Sequence, residues 1–205
     1  VATEAAYITG SCVIGNRIVY HNGNAVFTGE ATPLPDFLLA GYKHFAVEYP
    51  KFYKMDTLSK LGLLATEVLL KDADLQRYAP EEKGIVLTNA NASLDTDIRY
   101  FATVHEIASP ALFVYTLPNI VIGEICIRNN FKGENGFFVF KQFDGTFIHQ
   151  YISNLLATGG LNACIGGWTE VLDETYKTVL FLVEKEAGEQ VIPFTIENIN
   201  HIYQL

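Results

Sequence analysis

The chain has 205 residues, long enough for one substantial domain with its own core. Its net charge of −9 argues against nucleic acid, which is bound through Lys and Arg. Hydrophobic residues make up 49%, yet no apolar run is long enough to span a membrane. Val1-Ala-Thr-Glu lacks the basic start and apolar core of a signal peptide, so a cytoplasmic location is expected. The three cysteines, Cys12, Cys126 and Cys164, are odd in number and lie in apolar stretches, which predicts buried free thiols in a reducing compartment.

Tyr7-Ile-Thr-Gly10 reads as a short strand into a turn. Arg17–Tyr20 and Ala25–Phe27, with His21-Asn-Gly-Asn24 between them, read as a hairpin. Pro33 and Pro35 mark a loop. The clearest helix runs from Met55 to Ala73: Leu58, Leu61, Ala65, Leu69 and Leu70 fall at helical spacing and Asp56 can cap its start. Gly84–Thr88 reads as a buried strand, followed by the polar loop Asn89-Ala-Asn-Ala-Ser93. A helix is expected from Asp95 to Glu106, then a loop punctuated by Pro110 and Pro118, then a helix from Asn119 to Asn129. Gly136–Phe140 is expected as a strand, Gly145–Thr158 as a helix closed by Gly159-Gly160, and Asn162–Gly166 as a strand. Lys177–Lys185, a turn at Ala187-Gly188 and a last strand from Gln190 to Ile196 complete the chain. Strands alternating with helices imply a largely parallel sheet with helices on both faces and an antiparallel edge at the end. No repeat or linker divides the chain, so one domain is expected.

Few residues point to chemistry directly. His21, His44, His105, His149 and His201 are scattered, and neither His105-Glu106 nor His149-Gln150 has a zinc-protease spacing, so no metal site is expected. Thr9-Gly-Ser-Cys-Val-Ile-Gly15 lacks the Gly-x-Gly-x-x-Gly of a dinucleotide loop, and no cofactor is expected. Asn91-Ala-Ser93 is a glycosylation sequon by pattern only.

The segment from Ser109 to Glu170 carries the strongest signal. Ser109-Pro110, Asn119, Gly123, Lys132-Gly133, Gln142 and Gly145 follow one another at the spacing of a beta-ketoacyl synthase, and Gly166-Gly167-Trp-Thr-Glu170 resembles the Gly-Gly-x-x-Glu after its nucleophile helix. Met55–Ala73 resembles that family's early helix and Gly84–Leu94 its next strand and Gly-rich loop, here with Asn89, Ala90, Asn91, Ala92 and Ser93 in place of glycines. Val179–Glu184 resembles the strand that closes the N-terminal half. The chain therefore resembles the N-terminal half of a ketosynthase. That implies an α/β, thiolase-like half: a five-stranded mixed sheet with helices on both faces, in a single domain spanning 1–205 and lacking the C-terminal half.

Two departures from the family pattern bear on function. Gln142 stands where the family has its nucleophilic Cys in Ala-Cys-x-x-Gly, with Phe143, Asp144 and Gly145 completing the turn. A thiolate attacks a thioester and leaves well; a carboxamide does neither. The family's two active-site histidines, which polarise the thioester carbonyl, belong to the half that is missing, and their motifs are absent. The resemblance thus implies a chain-length-factor-like subunit, since chain-length factors commonly carry Gln at this position. Such a subunit pairs with a full-length ketosynthase in polyketide, aryl-polyene or fatty-acid-like synthesis, while an acyl carrier protein visits the active partner. By the same resemblance, Leu112, Phe113, Tyr115 and Thr116, with Asn91, line the partner's acyl tunnel, and the strand of Phe137, Phe138 and Phe140 pairs with its counterpart across a dimer interface. A stand-alone enzyme using another site, or a purely structural homodimer, are the competing expectations.

Overall fold

Residues 6–30, 32–158, 160–186 and 191–205 are described by the computed structural model. The first described element is a long strand, β1 (Tyr7–Gly15), which continues past Gly10 with a register shift against the strand Thr175–Glu184 between Ile8 and Gly10, so the turn expected there is absent. The stretch Thr9–Gly15 is strand rather than loop. β2 (Ile18–His21) and β3 (Asn24–Thr28) form the expected hairpin about Asn22-Gly23. The loop expected at the prolines is instead the start of α1 (Leu34–His44). Pro33 and Pro35 occupy its cap and first turn, where a missing N–H costs nothing because that group has no intrahelical partner.

A 3-10 turn, Pro50–Lys54, leads into α2 (Thr57–Leu69). The Asp56 carboxylate caps α2 by accepting from the Ser59 amide at 2.9 Å and takes a second bond from the Thr96 hydroxyl at 2.7 Å. α2 is buried on nearly every side, as its dense apolar pattern requires. β4 (Lys83–Asn89) is buried along its whole length. α3 (Leu94–Val104), the single turn α4 (Pro110–Phe113) and α5 (Ile120–Asn129) follow. Ser109 caps α4 through its hydroxyl, which accepts from the Leu112 amide at 3.3 Å. β5 (Asn135–Val139) and α6 (Gly145–Thr158) lie where the pattern put them.

The C-terminal third departs most from expectation. β6 (Ala163–Leu172) continues well past Gly166 and turns back at once into β7 (Thr175–Glu184), a ten-residue antiparallel pairing. The expected last strand is reduced to β8 (Ile192–Pro193), and α7 (Ile196–Gln204) takes its place. The turn expected at Ala187-Gly188 and residue Gly159 lie outside the described residues.

All strands join one sheet in the order β3-β2-β1-β7-β6-β4-β5, with β8 on β1. Among the described residues it has eight strands, not five, because the β2–β3 hairpin extends one side and β8 adds to β1. It is mixed rather than largely parallel: only β4 pairs parallel, with β5 and β6. Helices do cover both faces. One core packs α1, α2 and α5 on one face through Phe37, Leu64 and Ile125; the other packs α6 and α7 through Ile148, Ile152 and Ile199.

Gly166 and Gly167 set the spacing of the second layer. A Cβ on Gly166 would lie 2.3 Å from Ile152 Cδ1 on α6, and one on Gly167 would lie 2.0 Å from the Val179 carbonyl on the neighbouring strand. A side chain at Gly166 would require the ends of Ile152 and Phe181 to shift, whereas at Gly167 it is excluded by backbone that cannot swing aside. Gly167→Ala is expected to destabilise by about 3 kcal/mol or more through overpacking. Gly15→Ala, whose Cβ meets nothing within 4 Å, is the control expected to stay near wild type in urea denaturation.

Candidate functional site

β4, β5 and β6 run parallel, so the chain leaves β4 and β5 on the same side of the sheet, where open α/β sheets place their ligands. Two loops meet there: Asn89–Ser93 after β4 and Phe140–Asp144 after β5. They are tied at their bases by the Phe140 amide, which donates to the Asn89 carbonyl at 2.9 Å. Gln142 lies on the second loop, in a bend, with its side chain exposed.

The Gln142 loop is braced on both sides. Asp144 caps α6, accepting from the Phe147 amide at 2.9 Å. Phe143 stacks face to face on Tyr203 of α7, with centroids 3.9 Å apart, and meets Trp168 of β6 edge-on at 6.2 Å. Gly145 packs so closely on α7 that a Cβ there would lie 2.4 Å from Asn200 Oδ1. Tyr203 carries the Lys177 ammonium 4.6 Å above its ring. Partial burial lowers the Lys177 pKa and raises that of Tyr203, the latter aided by the nearby Glu170 carboxylate.

The opposite loop is held by Glu170, at the end of the Gly-Gly-x-x-Glu motif. Its carboxylate accepts from the Ala90 amide, from the Asn91 amide at 3.1 Å and from Asn91 Nδ2 at 2.9 Å. Asn89 closes the loop on itself, donating to the Ala92 carbonyl at 2.8 Å and accepting the Ala92 amide at 2.9 Å. These polar residues stand where the resembling family has glycines, and they supply side-chain bonds that hold Ala92 at φ +50°. Asn91 is thus engaged with Glu170 from within its own chain.

The other expected site residues divide into two groups. Tyr115 is buried in its own domain, 8% exposed, with its hydroxyl 3.3 Å from Glu124. Leu112 and Thr116 are half-buried, and Phe113 is exposed. Phe138 and Phe140 join Phe147 and Tyr151 of α6 in a cluster of rings, with centroids 4.7 to 4.9 Å apart between strand and helix. This cluster flanks β5, which ends the sheet and whose outer edge has no strand against it among the described residues. The cysteines lie elsewhere. Cys12 and Cys164 are fully enclosed and Cys126 partly so; burial pushes all three thiols up, Cys126 to about 11, which leaves them protonated at neutral pH. No group of three or more His, Cys, Asp or Glu side chains among the described residues is arranged to hold a metal. No described helix is long and apolar enough to cross a membrane.

Sequence reasoning missed Tyr203, Lys177 and Asn200. The signal for the helix that carries two of them was present: Thr195 as cap, then Ile196, Ile199, Ile202 and Tyr203 at helical spacing.

No protein-family model matches the chain, and no curated protein does. Solved structures do. Over 91% of this chain, at 19% identity and a TM-score of 0.66, it superposes on the ishigamide ketosynthase/chain length factor, covering 64% of that chain. It covers 63% of a chain in the type II polyketide synthase complex AntDE:AntF, an acyl-carrier protein with its ketosynthase bound to the hexaketide, at 13% identity and a TM-score of 0.61. A third match is a chain of the ketosynthase ApeO in complex with its chain length factor ApeC from Xenorhabdus doucetiae, at 14% identity and a TM-score of 0.58. It spans 98% of this chain and 90% of that one. The fold is therefore the thiolase-like fold of ketosynthase and chain-length-factor chains. This chain spans less than two thirds of two of these chains and nearly all of the third.

Glu170→Ala removes the acceptor of three N–H groups on the Asn89–Ser93 loop. Each bond to a carboxylate is worth about 1.5–3 kcal/mol and their losses are not additive, so a total loss of about 2–3 kcal/mol is expected. Hydrogen exchange should accelerate at Ala90 and Asn91 before the rest of the sheet.

Proposed function

We propose that this chain is a chain-length-factor-like subunit that has no condensing activity of its own and pairs with an active, full-length ketosynthase. The observation that carries this reading is Gln142. On a ketosynthase fold, the residue on the loop between β5 and α6 is a carboxamide rather than a thiol. The chain's own thiols do not substitute for it: Cys12 and Cys164 are enclosed, Cys126 is half-buried, and burial keeps all three protonated. In this reading the 1–205 unit supplies no nucleophile to the pair. It acts in the cytoplasm on growing polyketide or polyene chains that a carrier protein delivers to the active partner.

The surface supports a partner. β5 leaves an edge free beside four aromatic rings, and α3 turns an apolar stripe outward: Leu94, Ile98 and Phe101 are 40%, 56% and 64% exposed. Only Thr96 of α3 is buried. Ile107, Phe113 and Leu117 add to the same helix–loop segment. So many exposed large apolar side chains along one segment favour a covered surface. In the pair, Phe113 and Leu112 face the partner's acyl tunnel and limit its depth by filling volume.

Three outcomes test the reading. Co-expressed with its cognate ketosynthase, the chain should elute as a one-to-one complex by light scattering. Val139→Asp, an exposed position on β5, should dissociate the complex while leaving the far-ultraviolet spectrum intact. A stable homodimer that ignores the ketosynthase would favour the structural alternative. Incubated with acyl-carrier protein, the chain should gain no acyl mass; a stoichiometric adduct on any cysteine overturns the assignment. Phe113→Ala or Leu112→Ala in the assembled pair should lengthen products without abolishing turnover. Unchanged lengths in an intact complex would remove the segment from length control.

A further inference from the structure

α5 carries a single acidic residue on its buried face. Glu124 sits within Ile120-Val-Ile-Gly-Glu-Ile-Cys-Ile127, and its side chain is 5% exposed. An apolar residue of similar volume would be cheaper there, because removing a carboxylate from water costs several times what one good bond returns. The carboxylate must therefore be neutralised, and the group that does so comes from another element. Lys51, on the 3-10 turn before α2, brings its ammonium to 2.8 Å from Glu124 Oε2 while its own side chain stays 45% exposed. Among the described residues, Oε2 accepts no hydrogen bond of regular geometry, so it depends on that charge. The other oxygen, Oε1, faces the Tyr115 hydroxyl at 3.3 Å. Burial and the carboxylate beside it push the Tyr115 phenol above its usual range, which keeps it a donor.

Tyr115 belongs to the short segment between α4 and α5. That segment has one other side-chain tie to the sheet side of the molecule, the Ser93 hydroxyl donating to the Thr116 carbonyl at 2.8 Å. Its remaining bonds among the described residues are local, among them the Tyr115 amide to the Leu112 carbonyl at 2.9 Å and the Thr116 hydroxyl to the Phe113 carbonyl at 2.8 Å. Three pieces of chain that do not otherwise share a hydrogen-bond ladder thus meet at one carboxylate. We propose that Glu124, neutralised by the surface residue Lys51, is the positioning residue that holds Leu112–Thr116 in place. Its bearing on tunnel depth rests on the role given to that segment under Proposed function; the positioning itself does not.

Hydrogen exchange on the isolated chain tests the positioning. In Lys51→Met, the Tyr115 and Thr116 amides should exchange at least about tenfold faster than in wild type, with β6 and β7 unchanged. Lys51→Arg should restore wild-type exchange. On a Glu124→Gln background the neutral amide needs no counter-charge, so adding Lys51→Met should change nothing. This pair buries no charge and gives the comparison even where Lys51→Met alone fails to fold; folding of the double variant in that case supports the proposal. Exchange in Lys51→Met within about twofold of wild type, or equal acceleration on the Glu124→Gln background, overturns it. Faster exchange in Lys51→Met with unchanged product lengths in the assembled pair upholds the positioning and sinks the length-limiting reading instead.

Discussion

The bare backbone at Gly166 and Gly167 is the constraint on which the rest of the structure depends. β6 is the strand where the sheet changes character, parallel to β4 on one side and antiparallel to β7 on the other. At that seam, α6 descends onto Gly166 until Ile152 touches the strand, and Gly167 lets the Val179 carbonyl approach closer than any side chain would allow. The height of α6 above the sheet follows from this, and so does the position of its first turn. Gln142 sits just before that turn. A methyl group on Gly166 would press on Ile152 of that helix, whereas one on Gly167 would press on the backbone of β7.

The loop's other supports come from elements that a ketosynthase comparison does not highlight. α7 closes over α6 and offers Tyr203 and Asn200 to Phe143 and Gly145. The Lys177 ammonium also lies over the Tyr203 ring, so a cation from a strand and a ring from the loop share one aromatic partner. The facing loop is held by Glu170 and by the Asn89–Ala92 bonds. Polar side chains thus hold a loop for which the resemblance implies glycine-rich backbone.

The sequence told most where periodicity and punctuation agreed. α6 matched from first residue to last because Asp144-Gly145 starts it and an apolar period runs to Thr158. β4 and β5 matched because short apolar runs were bounded by polar loops. α1 was hidden because Pro33 and Pro35 read as loop residues, yet a helix tolerates proline in its first turn. β6 was cut short at Gly166 because Gly-Gly reads as a break, whereas the glycines serve packing between strand and helix. Ile192 and Pro193 drew the last segment toward strand, although the isoleucines after Thr195 keep helical spacing. That Gln142 falls on a loop between a strand and a helix was legible from the expected bounds of those two elements. Its exposure, its aromatic braces and the Lys51–Glu124–Tyr115 network were not, since each joins residues whose proximity is decided only by the tertiary fold.

The unpaired side of β5 has a consequence for the cell as well as for assembly. Among the described residues no strand pairs with the outer edge of β5, and an open edge bordered by Phe138, Phe140, Phe147 and Tyr151 is a template for any extended chain it meets. A copy without a partner displays this edge for as long as it stays single. Its persistence in solution is then a matter of stoichiometry: synthesis in step with whatever covers β5 keeps the exposed population small, while surplus chains pair through that edge with one another and are lost to aggregation or proteolysis.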